Sequence, residues 1–217
     1  MKNKPFISII TPILNCEKYV LECIKSIEIQ NFDSYEHVFV DGGSTDKSIS
    51  IIKNSEGYKS GKVKLHSAPD TNACQAWNIG NENAKGLFIG WLGADDRAKC
   101  DSFKNLSLVY DESPTKQFIY GDADILNSEG EIIGRYATKD FNLKNMVGSP
   151  CNFAAAVSVF IKNELVNKVG ELRTDVNACD FDFFLRCCRI EKPLRSNFTF
   201  SEYRIHDKGI SGSIGSS

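Results

Sequence analysis

Four short β-rich runs alternate with stretches of helical periodicity through the first hundred residues. That alternation constrains the fold most, because parallel strands must be joined by crossovers and a helix is the usual one. Residues 6–11 (FISIIT) are nearly continuous in apolar character, as a strand covered on both faces must be. Within 17–30, Val20, Cys23, Ile24 and Ile27 recur at i, i+3, i+4 and i+7 and mark one helix face. Strands follow at 35–41 (YEHVFVD), 63–67 and 87–92, with helices reaching to about residue 54 and over 73–84. After Asp96 the rhythm loosens: a helix at 102–111, a strand at 118–123, a hairpin around 127–130 and a short helix near Leu143. A strand at 153–161, helices at 163–169 and 180–190, and a last strand through Tyr203-Arg204-Ile205 complete the pattern. The fold class is therefore α/β: a sheet covered by helices, parallel in its N-terminal half and mixed in its C-terminal half. No repeat or Pro-rich linker divides the chain, so 1–208 reads as one domain with halves at about 1–97 and 98–208. The Gly/Ser-rich tail, 209–217, reads as mobile.

Lys and Arg number 26 against 28 Asp and Glu, so no strong field draws the chain onto nucleic acid. No apolar run reaches the 18 residues of a membrane span, and the N-terminal run is too short for a signal-peptide core, which points to the cytosol. Eight cysteines lie scattered without a CxxC pair, and a domain this large can build its core unaided, so all are expected as reduced thiols. His37, His66 and His206 stand in distant segments, which does not suit a structural zinc site.

In an open parallel sheet, ligands bind beyond the carboxyl ends of the strands. Those ends read Thr11-Pro12, Asp41-Gly42-Gly43-Ser44-Thr45-Asp46 and Gly93-Ala94-Asp95-Asp96. Two acidic clusters are hard to explain as core packing. No GxGxxG follows a strand, and Gly57-Tyr58-Lys59-Ser60-Gly61-Lys62 fails as a P-loop in its glycine spacing and in having Val63 where Ser or Thr should stand. Without either glycine cradle, Asp95 and Asp96 become the natural holders of a diphosphate, acting through Mg²⁺ or Mn²⁺ because carboxylates repel phosphate. A solvated acidic turn is the alternative.

The runs IITPILN, VDGGSTD (40–46), DTNACQAWNIG (70–80), GWLGADD ending at Asp96, CDFDFFLR (179–186) and YRIHDKGIS (203–211) resemble the family 2 inverting glycosyltransferases of GT-A fold, of the kind that builds bacterial cell-surface polysaccharides. Each run is weak alone, but their order and spacing cover nearly the whole chain. The resemblance implies a GT-A-like, Rossmann-type nucleotide-binding sheet and a nucleotide-sugar pocket touched by Thr11, Pro12, Asp41, Asp70 and Asp95. It further implies a divalent cation, Mn²⁺ or Mg²⁺, on Asp96 with His206 close by, and Asp180 as the catalytic base. Four departures stand out. Gly42 occupies a position that is often a second acid, Asn72 replaces a frequent glycine, Cys179 replaces the glutamate before the base, and the chain stops at Ser217 where many relatives continue.

The residues make their own case for Asp180. Phe181, Phe184, Leu185 and Cys188 would bury one helix face, leaving Asp180 at the helix start, where the backbone dipole favours a negative charge. A plain helix cap is the competing role. Asp182 points elsewhere, and a lone histidine such as His206 is often merely structural. Trp77 and Trp91 read as core or pocket wall. Arg186, Arg189, Lys192 and Arg195 leave a peripheral membrane contact open, although Glu191 among them fits a solvated helix face better. The expected activity is transfer of a sugar from a UDP-sugar or other nucleotide-sugar donor to a saccharide or lipid-linked acceptor. A non-catalytic nucleotide or saccharide-binding module and a sugar nucleotidyltransferase are the rivals; the latter lacks a Gly-rich, cationic loop after the first strand.

Overall fold

The computed structural model describes residues 4–148, 154–176, 178–207 and 209. Its strands are β1 (Ile7–Ile13), β2 (Tyr35–Asp41), β3 (Val63–Ser67), β4 (Phe88–Trp91), β5 (Arg97–Ala98), β6 (Phe118–Leu126), β7 (Ile132–Tyr136), β8 (Val159–Lys162) and β9 (Leu194–Arg204). The helices are α1 (Val20–Glu28), α2 (Ser48–Asn54), α3 (Glu56–Ser60), α4 (Ala73–Asn83), α5 (Ser102–Glu112), α6 (Leu143–Gly148), α7 (Asn163–Val169) and α8 (Cys179–Cys188). One mixed sheet runs β3-β2-β1-β4-β8-β6-β9-β5, with β7 paired to β6. β1 pairs in parallel with β2 and β4, and β2 with β3, so the N-terminal half is parallel as expected. β8 then runs antiparallel to β4 and β6, while β9 returns parallel to β6. This is the mixed C-terminal half.

β2, β3 and α7 fall on their expected ranges. β1 differs, continuing beyond Thr11 through Pro12 to Ile13 because its register with β2 holds as far as Asp41. The strand expected over 153–161 begins only at Val159, after a 3₁₀ turn at Ala156–Ser158, and Phe153 lies outside the described residues. β5 is two residues long and exists only through its pairing with β9, which no local pattern reveals. Of the tail, Gly209 alone is described.

Alternation along β1 divides the core between two layers. Ile7 and Ile9 join Cys23, Ile27, Phe103 and Leu106 beneath α1 and α5, and Ile13 joins Val20, Ile24 and Ile52. Ile10 faces the other way, into a cluster with Ala76, Trp91, Phe118, Phe183 and Phe184 that carries α4 and α8. α4 lies directly on β1: a Cβ at Gly80 would overlap the Ile10 side chain. Burying each such aliphatic or aromatic side chain contributes about 1.5–3 kcal/mol. An exposed pair such as Lys59–Glu56 contributes at most about 1 kcal/mol, so packing fixes the strand ends in place.

His37 on β2 is fully buried, its Nε2 2.9 Å from Thr11 Oγ1 and its Nδ1 without a partner among the described residues. Burial lowers its pKa from 6.5 to about 3, so the folded protein keeps it neutral. The unfolded chain protonates it near pH 6.5, so this contribution to stability is intact above that pH and is lost as pH falls through the window down to about 3. One proton corresponds to about 1.4 kcal/mol per pH unit. Urea unfolding at pH 6.5 and 4.5 should therefore show the wild type losing about 2 kcal/mol more than His37→Gln. Equal losses would show that His37 is protonated, or exposed, in the native state.

Candidate active site

The loops after β1 and β2 form one clasp at the edge of the parallel strands. Asp41 Oδ1 accepts the Ser44 N–H at 3.0 Å, closing a turn in which Gly43 takes a positive φ of 103°. Asn15 donates its N–H to Ser44 Oγ (3.0 Å) and accepts the Thr45 N–H on Oδ1 (2.9 Å). Asp46 takes the N–H groups of Glu17 and Ser48, each at 2.9 Å. Although desolvation opposes it, bonding from Ser48 and Glu17 holds the Asp46 carboxyl below its usual range. The Ser-Thr-Asp run thus builds the loop, and Asp41, 7% exposed, is set into its base.

Thr11 does not reach this edge with its side chain. It shares a face with Ile9 and Ile13, is fully buried, and bonds His37 beneath the sheet, whereas Pro12 on the opposite face is half-buried. Asp70, exposed after β3, takes the left-handed backbone (φ 64°) and donates its N–H to Gly42 O at 3.2 Å. Asn72 has an ordinary φ of −81° and caps α4 in a capping box with Gln75, so its replacement of glycine brings no strain.

Asp95 and Asp96 follow β4, and the end of β9 encloses them. Asp96, 3% exposed, accepts the Arg204 N–H on Oδ1 at 2.7 Å. The Arg204 side chain is wholly buried: Nε donates to Asp95 O (2.7 Å), Nη2 to Glu22 Oε2 (2.6 Å), and the guanidinium lies 4.7 Å above the Tyr19 ring. His206 Nε2 stands 2.9 Å from Asp95 Oδ2, its ring 5.0 Å from Tyr19. His206 therefore belongs to the acid pair. Arg204, Glu22 and Tyr19 do not stand out in the sequence; an arginine within the expected last strand, two residues before His206, is the one signal it offers.

Burial and the neighbouring Asp95 charge push the Asp96 carboxyl well above the usual range, against the pull of Arg204 and of the Gly93 N–H side of the turn. A cation would relieve that repulsion. Among the described residues no three Asp, Glu, His or Cys side chains group closely enough to hold a metal by themselves. Carboxylate oxygens such as those of Asp95 and Asp96 are the donor chemistry that Mn²⁺ or Mg²⁺ take, and these ions commonly complete their shell with substrate phosphate and water. Gly93 makes room for both acids: a Cβ there would lie 2.5 Å from Asp96 Oδ2 and 2.6 Å from Asp95 Oδ1. Gly93→Ala should weaken Mn²⁺-dependent UDP binding about tenfold in calorimetry while the melting temperature moves by only about 2 °C, since one displaced ligand-supporting group costs 10–100-fold. Unchanged affinity would mean that these carboxylates do not meet the ligand.

Asp180 sits half-buried in the first turn of α8. The cap position itself is Ala178, whose side chain caps nothing, and Asp180 Oδ1 accepts only the adjacent Phe181 N–H at 2.8 Å among the described residues. Asp182 is engaged by Arg186 at 2.9 Å, whereas no described cation pairs with Asp180. Trp91 packs on Phe183 and Phe184 (5.4 and 5.6 Å between centroids) and so fixes the helix on the sheet. Of the basic stretch, Arg186 also bonds Val169 O and Glu171 O, and Arg195 bonds Thr138, so two of its four cations are turned inward.

The expectation of eight reduced thiols fails at one place: Cys74 and Cys179 form a disulfide across 105 residues. Spacing could not reveal it, because the starts of α4 and α8 meet only in the folded sheet. Cys16, Cys23, Cys100, Cys187 and Cys188 are free, and Cys151 lies outside the described residues.

The chain is similar to known proteins in sequence and in fold. The chain is 29% identical over 186 residues to a PGL/p-HBAD biosynthesis glycosyltransferase of Mycobacterium bovis, covering 84% of this chain and 70% of that one. It is 28% identical over 190 residues to an uncharacterized protein of Sinorhizobium fredii, covering 86% of this chain but only 21% of that longer protein. In fold it matches S. aureus TarS 1-349 in complex with UDP-GlcNAc (TM-score 0.78, 19% identity, 97% of this chain and 62% of that one). It also matches the mannosyltransferase PcManGT of Pyrobaculum calidifontis in complex with GDP-Man and Mn²⁺ (TM-score 0.73, 16% identity, 98% and 60%). Residues 8–170 match the sequence pattern of the family described as glycosyl transferase family 2. With the mixed GT-A sheet, the acid pair after β4 and a family match over most of its length, the chain belongs to glycosyl transferase family 2.

Proposed function

We propose that the chain transfers a sugar from a nucleotide diphosphate donor, UDP-linked by preference, to a hydroxyl of a saccharide or lipid-linked acceptor, with inversion at the anomeric carbon. One observation carries this reading: the carboxylates of Asp95 and Asp96 are held at the edge of the parallel strands by His206 and Arg204. Pro12 and Asp41, at the ends of β1 and β2, and Asp70, on the loop after β3, would meet the nucleoside, with Asp95 reaching the ribose side and Thr11 supporting the floor from beneath. Asp96 and His206 would hold a divalent cation, which when bound supplies positive charge against the leaving diphosphate. The GDP-Man and Mn²⁺ in the PcManGT complex and the UDP-GlcNAc in the TarS complex belong to those proteins and support the same classes here.

Asp180 accepts the proton of the acceptor hydroxyl as its oxygen bonds to the anomeric carbon. The bond from that carbon to the diphosphate oxygen breaks in the same step. A sugar hydroxyl is too weak an acid to ionise beforehand, so the base must act in the transition state. No side-chain nucleophile is interposed, which gives inversion. Reaction takes place in the cytoplasm or at the inner face of the membrane, where nucleotide sugars meet a lipid-linked acceptor. Titration of UDP should give binding with Mn²⁺ that weakens at least about tenfold in EDTA. Turnover should release UDP and no pyrophosphate. Absence of UDP binding in either condition, or pyrophosphate release from a sugar phosphate and a triphosphate, would contradict the assignment.

A further inference from the structure

α8 starts without a side-chain cap, yet its first turn carries Asp180. Before it, residues 173–176 follow the buried Leu172, and of these and Ala178 only Val176 is even half-buried. α4 is the opposite case, closed by the Asn72–Gln75 capping box and pressed on β1 at Gly80. The disulfide joins these two helix starts, from the residue immediately before Asp180 to the second residue of α4. It is also a covalent link between the strand-end half that holds the donor loops and the half that holds the base. A second link, Asn78 to the backbone of Leu172 in two hydrogen bonds of 2.8 and 2.9 Å, and the packing of Phe183 and Phe184 on Trp91 do not depend on sulfur. Opening the bridge therefore frees the first turn of α8 and leaves the rest of the helix seated.

We propose that the Cys74–Cys179 bridge is a positioning element for Asp180, and that its reduction by a dithiol lowers the rate of sugar transfer while donor binding persists. This rests on the reading of Asp180 as the base. Cys74 is the half-buried partner and Cys179 the buried one, so an attacking thiolate meets Cys74 Sγ, and Cys179 departs as the thiolate. The second thiol of the reductant then closes its own disulfide and releases Cys74. Two electrons and two protons pass from the dithiol to the pair, and an oxidant of the disulfide or diazene class reverses the change. None of the residues that touch the acid pair is altered.

The test uses the whole chain, oxidised or reduced with dithiothreitol, with UDP release from a UDP-sugar in Mn²⁺ as the readout. Alkylation of the unreduced, denatured protein should label Cys16, Cys23, Cys100, Cys187 and Cys188 and spare Cys74 and Cys179, with Cys151, which lies outside the described residues, not scored. Reduction should lower kcat about tenfold, leave the donor KM and the calorimetric UDP affinity within about twofold, and be reversed by diamide. Cys74→Ser/Cys179→Ser should behave like the reduced enzyme. In Asp180→Asn, reduction should cause no further loss, because two changes acting through one group are not additive. Labelling of Cys74 and Cys179 in the unreduced protein, an unchanged kcat on reduction, or a joint fall in kcat and UDP affinity would each overturn the proposal. Failure of the base reading shows separately, as near-normal turnover of oxidised Asp180→Asn.

Discussion

Asp180→Asn is expected to cut turnover about a thousandfold, the middle of the range for removing a positioned general base, while Mn²⁺-dependent UDP affinity stays within about twofold. The amide keeps the size of the carboxylate and can still accept the Phe181 N–H, its one hydrogen bond among the described residues, so the start of α8 should survive. What is lost is the proton acceptor. The loss should therefore fall on kcat, since donor binding is assigned to other residues, Asp41 and the Asp95–Asp96 turn. Steady-state rates of UDP release beside calorimetry separate the two effects. Near-normal turnover would reduce Asp180 to a first-turn carboxylate that only favours the helix dipole.

Asp96→Asn should have the opposite profile: UDP affinity in Mn²⁺ should fall at least about a hundredfold, and the dependence on EDTA should disappear. The reason is electrostatic. Asp96 is buried beside Asp95, and burial with that neighbouring charge already strains its ionised form, so a cation is what makes the doubly charged pair tolerable next to a diphosphate. The asparagine removes that incentive along with a ligand. Its side-chain oxygen can still accept the Arg204 N–H, so the β4–β9 junction should hold and the melting temperature without ligand should change little. An affinity equal to wild type, with or without EDTA, would remove the metal from the mechanism.

What could be read from the chain was whatever is local. Strand ends with carboxylates lie within a few residues of the runs that build them, so Asp41, Asp95 and Asp96 were legible, as were β2, β3 and α7 to the residue. Thr11 was placed by motif alone; the alternation that sets Ile9 and Ile13 on one face puts its hydroxyl with them, and only the extra two residues of β1 make that plain. The rest of the site depends on contacts between distant segments. Arg204 meets Asp96 across 108 residues and Glu22 across 182. No period in a sequence reports such a meeting, and the same holds for Cys74 with Cys179 and for the two-residue strand β5. The buried cation was nevertheless a signal, because an arginine inside a strand must find partners for five N–H donors.

The most direct test of the central claim is the configuration of the first sugar released. An α-linked UDP-sugar, with water as the acceptor in Mn²⁺, is followed by proton NMR of the anomeric position in the first minutes, before mutarotation mixes the anomers. Single displacement with Asp180 as base gives the β-anomer first, at a rate that falls with Asp180→Asn. The α-anomer as first product would require a covalent or front-face route and would contradict the single-displacement mechanism.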